Sequence, residues 1–314
     1  MGNALSAEAA DKLNWQLLLP KVRFDTRSFT ETLDGGQAFR WRQLGSSSEL
    51  GTATGPVFEG QWLTHHLCLR LDAAGRVEWA CAGAGVYPSI RTDQTALAEY
   101  LAVDEDFASY LDALPWRSDP VINEAIAMHP RLRLLRQPLE ETLLGFLCST
   151  NKQIVQIKQM LAALARSLGK EIQPGVHALP TWTELAQATD AQLAACALGY
   201  RAKFIRDTAA HLAGDPGFFH RVHDATYDEA KALLISLPGV GPKVADCVLL
   251  FGEARHEAFP VDTWILSIME ESYGLKGWTP AQIAHFGRQH FGTHAGLAQQ
   301  FLFAKARARG RGRT

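Results

Sequence analysis

The amino-acid sequence predicts an α+β fold, with an N-terminal antiparallel β-sheet domain and an all-α region behind it. Residues 15 to about 90 alternate apolar and polar side chains in short runs broken by turn residues, the pattern of half-buried strands. From about residue 92 the apolar period lengthens to about 3.6, the period of amphipathic helices. Prolines between Pro115 and Pro280 fall between the periodic segments or at their first positions, where a missing N–H does least harm.

In the first region, Gln37 to Arg42 alternates after the turn residues Asp34, Gly35 and Gly36. Trp62 to Leu71 and Arg76 to Cys81 read as a hairpin about Asp72-Ala73-Ala74-Gly75. In the second region, helices are expected over 93–103, 120–129, 139–148, 152–168, 183–195, 201–213, 226–236, 242–252, 263–272, 280–291 and 295–308. The expected divisions are 1–120 for the sheet domain with flanking helices, 121–308 for the helical region and 309–314 for a basic tail.

With 314 residues, 47% of them hydrophobic and 20% charged, the chain has the balance of a globular protein. That excludes disordered and collagen-like classes. The longest uncharged stretch, Gln289 to Ala304, falls short of the ~18 apolar residues a membrane span needs. The N-terminus lacks the basic and apolar regions of a secretory signal, although Met1 to Ser6 fits the short myristoylation pattern. The five cysteines are odd in number, widely spaced and without a C-x-x-C pair. They suit free thiols in a reducing, intracellular setting better than a disulfide framework or a zinc site.

The formal net charge of −2 does not announce a nucleic-acid binder, but the distribution is uneven. Lys305, Arg307, Arg309, Arg311 and Arg313 lie in the last ten residues with no acid among them, leaving 26 basic against 33 acidic residues elsewhere. A body near −7 holds an anionic partner through local geometry and a few chosen cations, not through a global field. The terminal cations read either as a solvated end or as phosphate contacts. If they touch phosphates, truncation after Ala304 lowers the salt slope of binding.

The most informative segment runs Leu237-Pro238-Gly239-Val240-Gly241-Pro242-Lys243-Val244-Ala245-Asp246. One helix ends at Leu237, glycines two apart make a tight turn, and a second helix opens at Pro242. The glycines permit close approach of backbone, and the new N-terminus presents unpaired N–H groups. That is a seat for an anion, and between two helices it makes a helix–hairpin–helix (226–252) that grips a DNA phosphate without reading sequence.

Lys243 sits in the first turn of the second helix, where the dipole disfavours a cation. Burial would disfavour the ammonium further. A neutral amine is a nucleophile able to form a Schiff base, whereas a charged one would simply contact phosphate; the segment alone leaves both open. Nineteen residues on, Phe259-Pro260-Val261-Asp262-Thr263-Trp264 places Asp262 in a loop (258–264) ahead of an apolar helix. Asp262 is there as an N-cap, as an anion beside the nucleophile, or as both. Hairpin, lysine and Pro-Val-Asp in this order carry the signature of a base-excision glycosylase, and a purely DNA-binding hairpin has no use for that aspartate.

From about Trp15 to Arg307 the chain resembles the 8-oxoguanine DNA glycosylase family of the helix–hairpin–helix/Gly-Pro-Asp superfamily, in its form with an N-terminal sheet domain. The resemblance rests on Gly36-Gln37-Ala38-Phe39-Arg40-Trp41-Arg42, Cys148-Ser149-Thr150-Asn151, Leu198-Gly199-Tyr200-Arg201-Ala202 and the hairpin through Asp262, with Ala295 to Phe303 as a weaker fifth string. It implies an all-α helix–hairpin–helix glycosylase region and a bifunctional glycosylase/AP lyase acting on 8-oxoguanine opposite cytosine in duplex DNA. Lys243 and Asp262 would be catalytic. The Gly36 carbonyl would accept from the N7 hydrogen that the lesion has and guanine lacks. Gln299 would bind the base edge, and Phe303 and Cys247 would sandwich the ring; by spacing alone Gln299 reads as solvated, and Phe303 and Cys247 as core.

The same resemblance implies that Asn151 fills the gap left by the flipped base, Arg201 donates to the orphaned cytosine and Tyr200 wedges beside it. Gly239, Gly241 and Val244 would hold the DNA backbone. Taken alone, Asn151 is as good an N-cap and Arg201 an ordinary surface residue. The hairpin can seat a cation on the main-chain carbonyls of Ile235, Leu237 and Val240, no external cofactor is required, and an iron–sulfur cluster is excluded because no cysteine follows Cys247. The implied protein is a monomer without membrane partners, found with DNA in a nucleoid or nucleus. Two positions depart from the family pattern: Gln156 stands where a second cytosine-reading arginine is usual, and Trp264 where a histidine is. The competing readings are a glycosylase of the same superfamily for another lesion, and a non-catalytic hairpin DNA binder.

Overall fold

The computed structural model describes residues 5–18, 22–45, 55–83 and 90–311. It begins with helix α1 (Ala7–Asp11), strand β1 (Gln16–Leu17), α2 (Thr26–Asp34), β2 (Trp41–Leu44), β3 (Val57–Trp62), β4 (His65–Leu71) and β5 (Val77–Cys81). The strands form one antiparallel sheet in the order β1-β5-β4-β3-β2. Helix α3 (Ile90–Tyr100) completes this module. Its core gathers Phe29, Trp41, Phe58, Trp62, Trp79, Leu97 and Tyr100. Trp41 pairs across the strands with Gly60, and a Cβ at Gly60 would sit 2.1 Å from the indole, so only glycine lets the ring lie flat on the sheet. The indole N–H of Trp41 donates to the Tyr100 hydroxyl at 3.1 Å, which satisfies the one polar atom of a buried tryptophan.

The helical region follows: α4 (Phe107–Ala113), α5 (Pro120–Met128), α6 (Leu139–Ser149) and α7 (Ile154–Leu168), then the small hairpin β6 (Glu171–Gln173) and β7 (Val176–His177). After it come α8 (Trp182–Gln187), α9 (Asp190–Ala195), α10 (Arg201–Ala213), α11 (Phe218–Asp224), α12 (Tyr227–Ile235) and α13 (Pro242–Gly252). The chain closes with α14 (Thr263–Tyr273), α15 (Pro280–Phe291) and α16 (Ala295–Arg311). One large core runs through this region and already includes Ala102, Phe107 and Leu114.

Several expectations need correction. Trp62 to Leu71 is two strands, because the chain turns at Leu63 and Thr64, with Leu63 at φ +47. The alternation after Gly36 becomes strand only at Trp41, since Gln37 is bonded sideways to the helical region instead of to a neighbouring strand. The single helix over 183–195 is two, each opened by its own capping box, Thr181 with Glu184 and Thr189 with Gln192. Helices α1, α2, α4 and α11 were not foreseen; α1 has five residues and the last two seven each, too short for a periodic pattern to register. Arg313 and Met1 to Ala4, with the myristoylation pattern, lie outside the described residues.

The basic end is the largest correction. Helix α16 continues to Arg311, and Lys305 and Arg307 are buried, not solvated. The Lys305 ammonium, 1% exposed, pairs with Glu124 at 2.6 Å and donates to the Val121 carbonyl of α5 at 3.1 Å. Arg307 pairs with Glu31 of α2 at 2.7 Å. A buried cation persists only when it is paired, so these two residues are fasteners between α16 and the elements around it.

Candidate active site

Helices α12 and α13 flank the turn Pro238-Gly239-Val240-Gly241. Gly239 has φ +81 and sits against α10, where a Cβ would come within 2.6 Å of Phe204. The Thr208 hydroxyl of α10 also donates to the Pro238 carbonyl at 2.8 Å. Gly241 is the N-cap of α13, exposed and with open space where a side chain would be; no side chain caps the helix. The amides of its first turn therefore face outward as an anion seat. Val244 and Val240 are buried, so either could meet a phosphate only through its main chain. The Leu237 carbonyl closes the turn by accepting from the Val240 amide at 3.1 Å. That leaves its second lone pair, with the carbonyl of Ile235 at the end of α12, as hard oxygen donors of the kind a cation would take. Among the described residues no group of three or more His, Cys, Asp or Glu side chains could hold a metal ion.

Lys243 is half-buried where α13 packs on α6. Its Nζ lies 5.1 Å from the Phe146 ring centre and 3.4 Å from the Ser149 hydroxyl, and Cys247 follows one turn along α13. It makes no ion pair among the described residues. Burial pushes the Cys247 thiol up to about 12, with Lys243 pulling it down and Asp262 pushing it up, so lysine, thiol and carboxylate share one electrostatic neighbourhood. Asp262 is the N-cap of α14 and accepts from the Ile265 amide at 2.9 Å. Burial raises its carboxyl above the ordinary aspartate range, against the pull of the Ile265 and Trp264 amides and of Lys243. The cap reading of Asp262 is thus observed, and its carboxyl is partly desolvated with Lys243 among the charges that act on it.

The sheet module brings a second set of residues to α16. Gly36 follows α2 with φ +105, and a Cβ there would lie 3.0 Å from Ile154 and 3.4 Å from Phe303. Conformation and space both call for glycine. Next to it Gln37 is buried and bonded to the segment before α6. Its amide donates to the Arg133 carbonyl at 2.9 Å and accepts from the Leu135 amide at 2.9 Å, and its own carbonyl accepts from Gln137 Nε2 at 2.6 Å. Gln299, one helical turn before Phe303, is 5% exposed, and its Oε1 is buried without a partner. Spacing had suggested a solvated residue; the structure makes it an unsatisfied amide in the interior, which is uncommon unless a ligand completes it.

A third set lies on the outer face. Asn151 is exposed and left-handed, with φ +53, between α6 and α7. It is not the cap of α7: Gln153 is, and Gln156 accepts back from the Gln153 amide at 3.2 Å. Tyr200 is 54% exposed beside Phe204. Arg201 departs from expectation. It is 3% exposed, its Nη2 donates to the Thr150 carbonyl and its Nη1 to the Leu198 carbonyl at 3.3 Å, while its Nε has no partner. It braces the loop that carries Asn151 and offers no exposed donors of its own. Trp264 is exposed on α14 against Gly310 at the end of α16, where a Cβ on that glycine would meet the indole at 2.5 Å. Arg307, missed by sequence reasoning, reaches Gly35 from α16; only its burial reveals it.

Comparisons with known proteins place the chain among base-excision DNA glycosylases. Residues 144–290 match the model of the HhH-GPD superfamily base excision DNA repair protein. The N-glycosylase/DNA lyase OGG1 of Arabidopsis thaliana is 32% identical over 288 residues, spanning 87% of this chain and 75% of that protein. An N-glycosylase/DNA lyase of Saccharomyces cerevisiae is 31% identical, spanning 77% and 67%. Among solved structures, the 8-oxoguanine glycosylase/lyase of Clostridium acetobutylicum superposes with a TM-score of 0.80 at 26% identity, over 91% of this chain and 93% of that one. It was determined with double-stranded DNA containing cytosine opposite 8-oxoguanine.

Proposed function

We propose, from the premise that this chain belongs to the 8-oxoguanine DNA glycosylase family and is a DNA N-glycosylase with DNA lyase activity, that it excises 8-oxoguanine from duplex DNA. The observation that carries the reading is Lys243: an amine half-buried against Phe146, Ser149 and Cys247, in the field of Asp262 and with no ion pair among the described residues. A lysine that only gripped phosphate would extend into solvent.

The lesion rotates out of the stack at a cost of a few kcal/mol. Lys243, as the free amine, attacks C1′ while the glycosidic bond breaks, and the electron pair leaves with the base, which takes up a proton. Asp262 stabilises the positive charge developing on the sugar, an effect strengthened by its partly dry setting. Loss of the amine's remaining proton and ring opening give the Schiff base, and removal of a C2′ proton then eliminates the 3′ phosphate and nicks the strand. The residues involved need no external cofactor; the carbonyls of Ile235, Leu237 and Val240 would seat a structural cation near the DNA backbone.

Lesion choice falls to the residues that meet where the sheet module packs on α16, with Gly36 against Phe303. The Gly36 carbonyl accepts from the N7 hydrogen of 8-oxoguanine and opposes the guanine lone pair, a contrast of ~1–3 kcal/mol in a dry site. The orphan Oε1 of Gln299 takes a donor on the base edge, and Phe303 and Cys247 close on the ring faces. Opposite the lesion, Asn151 occupies the vacated space and Tyr200 wedges in, while Gly239, Gly241 and the Val244 main chain hold the backbone. Arg201 acts by steadying Asn151 or by swinging out to cytosine. Gln156 is uncharged and its oxygen already caps α7, so discrimination for cytosine opposite the lesion is weak.

Strand cleavage on a panel of duplexes tests this. We expect cleavage at 8-oxoguanine paired with cytosine, rates within about tenfold for the other partners, and none at thymine glycol or alkylated purines. Cleavage of an alkylated-purine duplex in preference to 8-oxoguanine would contradict it.

A further inference from the structure

We propose that Arg307 is the positioning residue that sets how sharply the enzyme distinguishes the oxidised base from guanine, an inference that rests on the roles given above to Gly36 and Phe303. Its guanidinium is buried, with 8% of the residue exposed. One nitrogen, Nη1, donates both to Glu31 Oε1 at 2.7 Å and to the Gly35 carbonyl at 2.5 Å. The guanidinium carbon lies 5.7 Å from the centre of the Phe303 ring, one turn back on the same helix.

This contact fixes one end of the sensor. The Gly35 carbonyl belongs to the peptide that enters Gly36, and Arg307 holds it. The carbonyl of Gln37 belongs to the peptide that follows, and Gln137 holds it at 2.6 Å. Between them lies the peptide whose carbonyl would face the flipped base, at a glycine with φ +105 that no side chain restrains. A carbonyl separates an N–H from a lone pair only while it points at that atom; one free to rock accepts from water or turns aside, and the contrast falls. The same guanidinium ties the sheet module to the helix carrying Phe303, so it also sets the gap between the sensor and the stacking ring. Lys305 supplies the internal comparison: also buried on the same helix, it is fastened to Glu124 and Val121 on α5 instead.

The test compares Arg307→Met, Arg307→Lys and Lys305→Met. Affinities for 8-oxoguanine:cytosine and guanine:cytosine duplexes are measured in an inactive Lys243→Gln background, and lyase turnover at a preformed abasic site in the active one. Arg307→Met is expected to lower the lesion-to-guanine affinity ratio by about tenfold. Lyase turnover should hold within about twofold, because an abasic site has no base for the sensor to grip. Arg307→Lys should recover part of the ratio, and Lys305→Met should leave it unchanged. An unchanged ratio in Arg307→Met, an equal fall in Lys305→Met, or lyase turnover falling in step with the ratio would each overturn the proposal. Equal affinity of the Lys243→Gln protein for the two duplexes before any further change would overturn the functional reading and this proposal with it.

Discussion

Lys243 and Asp262 were legible as a pair because glycine and proline punctuate the chain around them, and such residues restrict local geometry whatever surrounds them. From spacing alone Gln299 and Arg307 were not, although the family resemblance had marked Gln299: an amide and a guanidinium at helical spacing look solvated until the packing removes the water. In the proposed mechanism, function and stability compete at Asp262. Burial raises its carboxyl, so ionising it in the folded state is unfavourable, while its Oδ1 caps α14. A group of this sign destabilises the fold as pH rises from the ordinary aspartate range through the raised value, and continues to do so at neutral pH. Asp262→Asn keeps a capping oxygen and removes the buried charge. We expect its melting temperature at pH 7 to match or exceed that of the wild type while base release falls about 10²–10³-fold. A variant that melted well below the wild type would show the carboxylate to be structural.

At the scale of elements, the helices of nine residues or more in the helical region were foreseen to within a few positions, whereas α1, α2 and α4 were not, although Ser6, Asp25 and Asp106 cap them. Nothing local marks α2 as helical except Asp25 at its start, which accepts from the Ser28 amide at 2.8 Å. Asp119 is a cap that became a junction. It accepts from the amides of Val121 and Ile122 at the start of α5, from the Tyr273 hydroxyl at the end of α14 and from His290 Nε2 of α15. Burial alone would raise its carboxyl, but those donors together hold it below the usual range. A carboxylate depressed in this way contributes stability that is present above the unfolded pKa and is lost as pH falls through the folded one. Asp119→Asn should lower stability at pH 7 by about 2 kcal/mol and should flatten the loss of stability below about pH 4. Urea melts at pH 7 and pH 3 check this, and parallel losses in both proteins on acidification would contradict it.

The described residues form two main cores and a small third cluster beside the sheet, and the terminal helix helps to fasten the main two, which a linear sequence could not show. The Gly36 loop belongs to the sheet module, the Lys243 hairpin to the helical core, and α16 carries Gln299 and Phe303 and anchors to both through Lys305 and Arg307. The salt-slope test imagined for truncation after Ala304 therefore has to move. That cut would remove the bonds of Arg307 to Glu31 and Gly35 and of Lys305 to Glu124 and Val121, and should cost several kcal/mol of stability. Truncation after Ala308 should leave the melting temperature within about 3 °C of the full chain, since surface changes usually stay small. Equal melting of the two truncations would contradict the fastening role. The account as a whole stands on the Lys243 amine reaching C1′. The most direct measurement is borohydride reduction during reaction with an 8-oxoguanine:cytosine duplex, followed by peptide mass mapping. The account predicts one stable protein–DNA adduct, carried on Lys243 and absent from Lys243→Gln, which should still bind the lesion. A trapped adduct on another residue, or undiminished base release by Lys243→Gln, would contradict it.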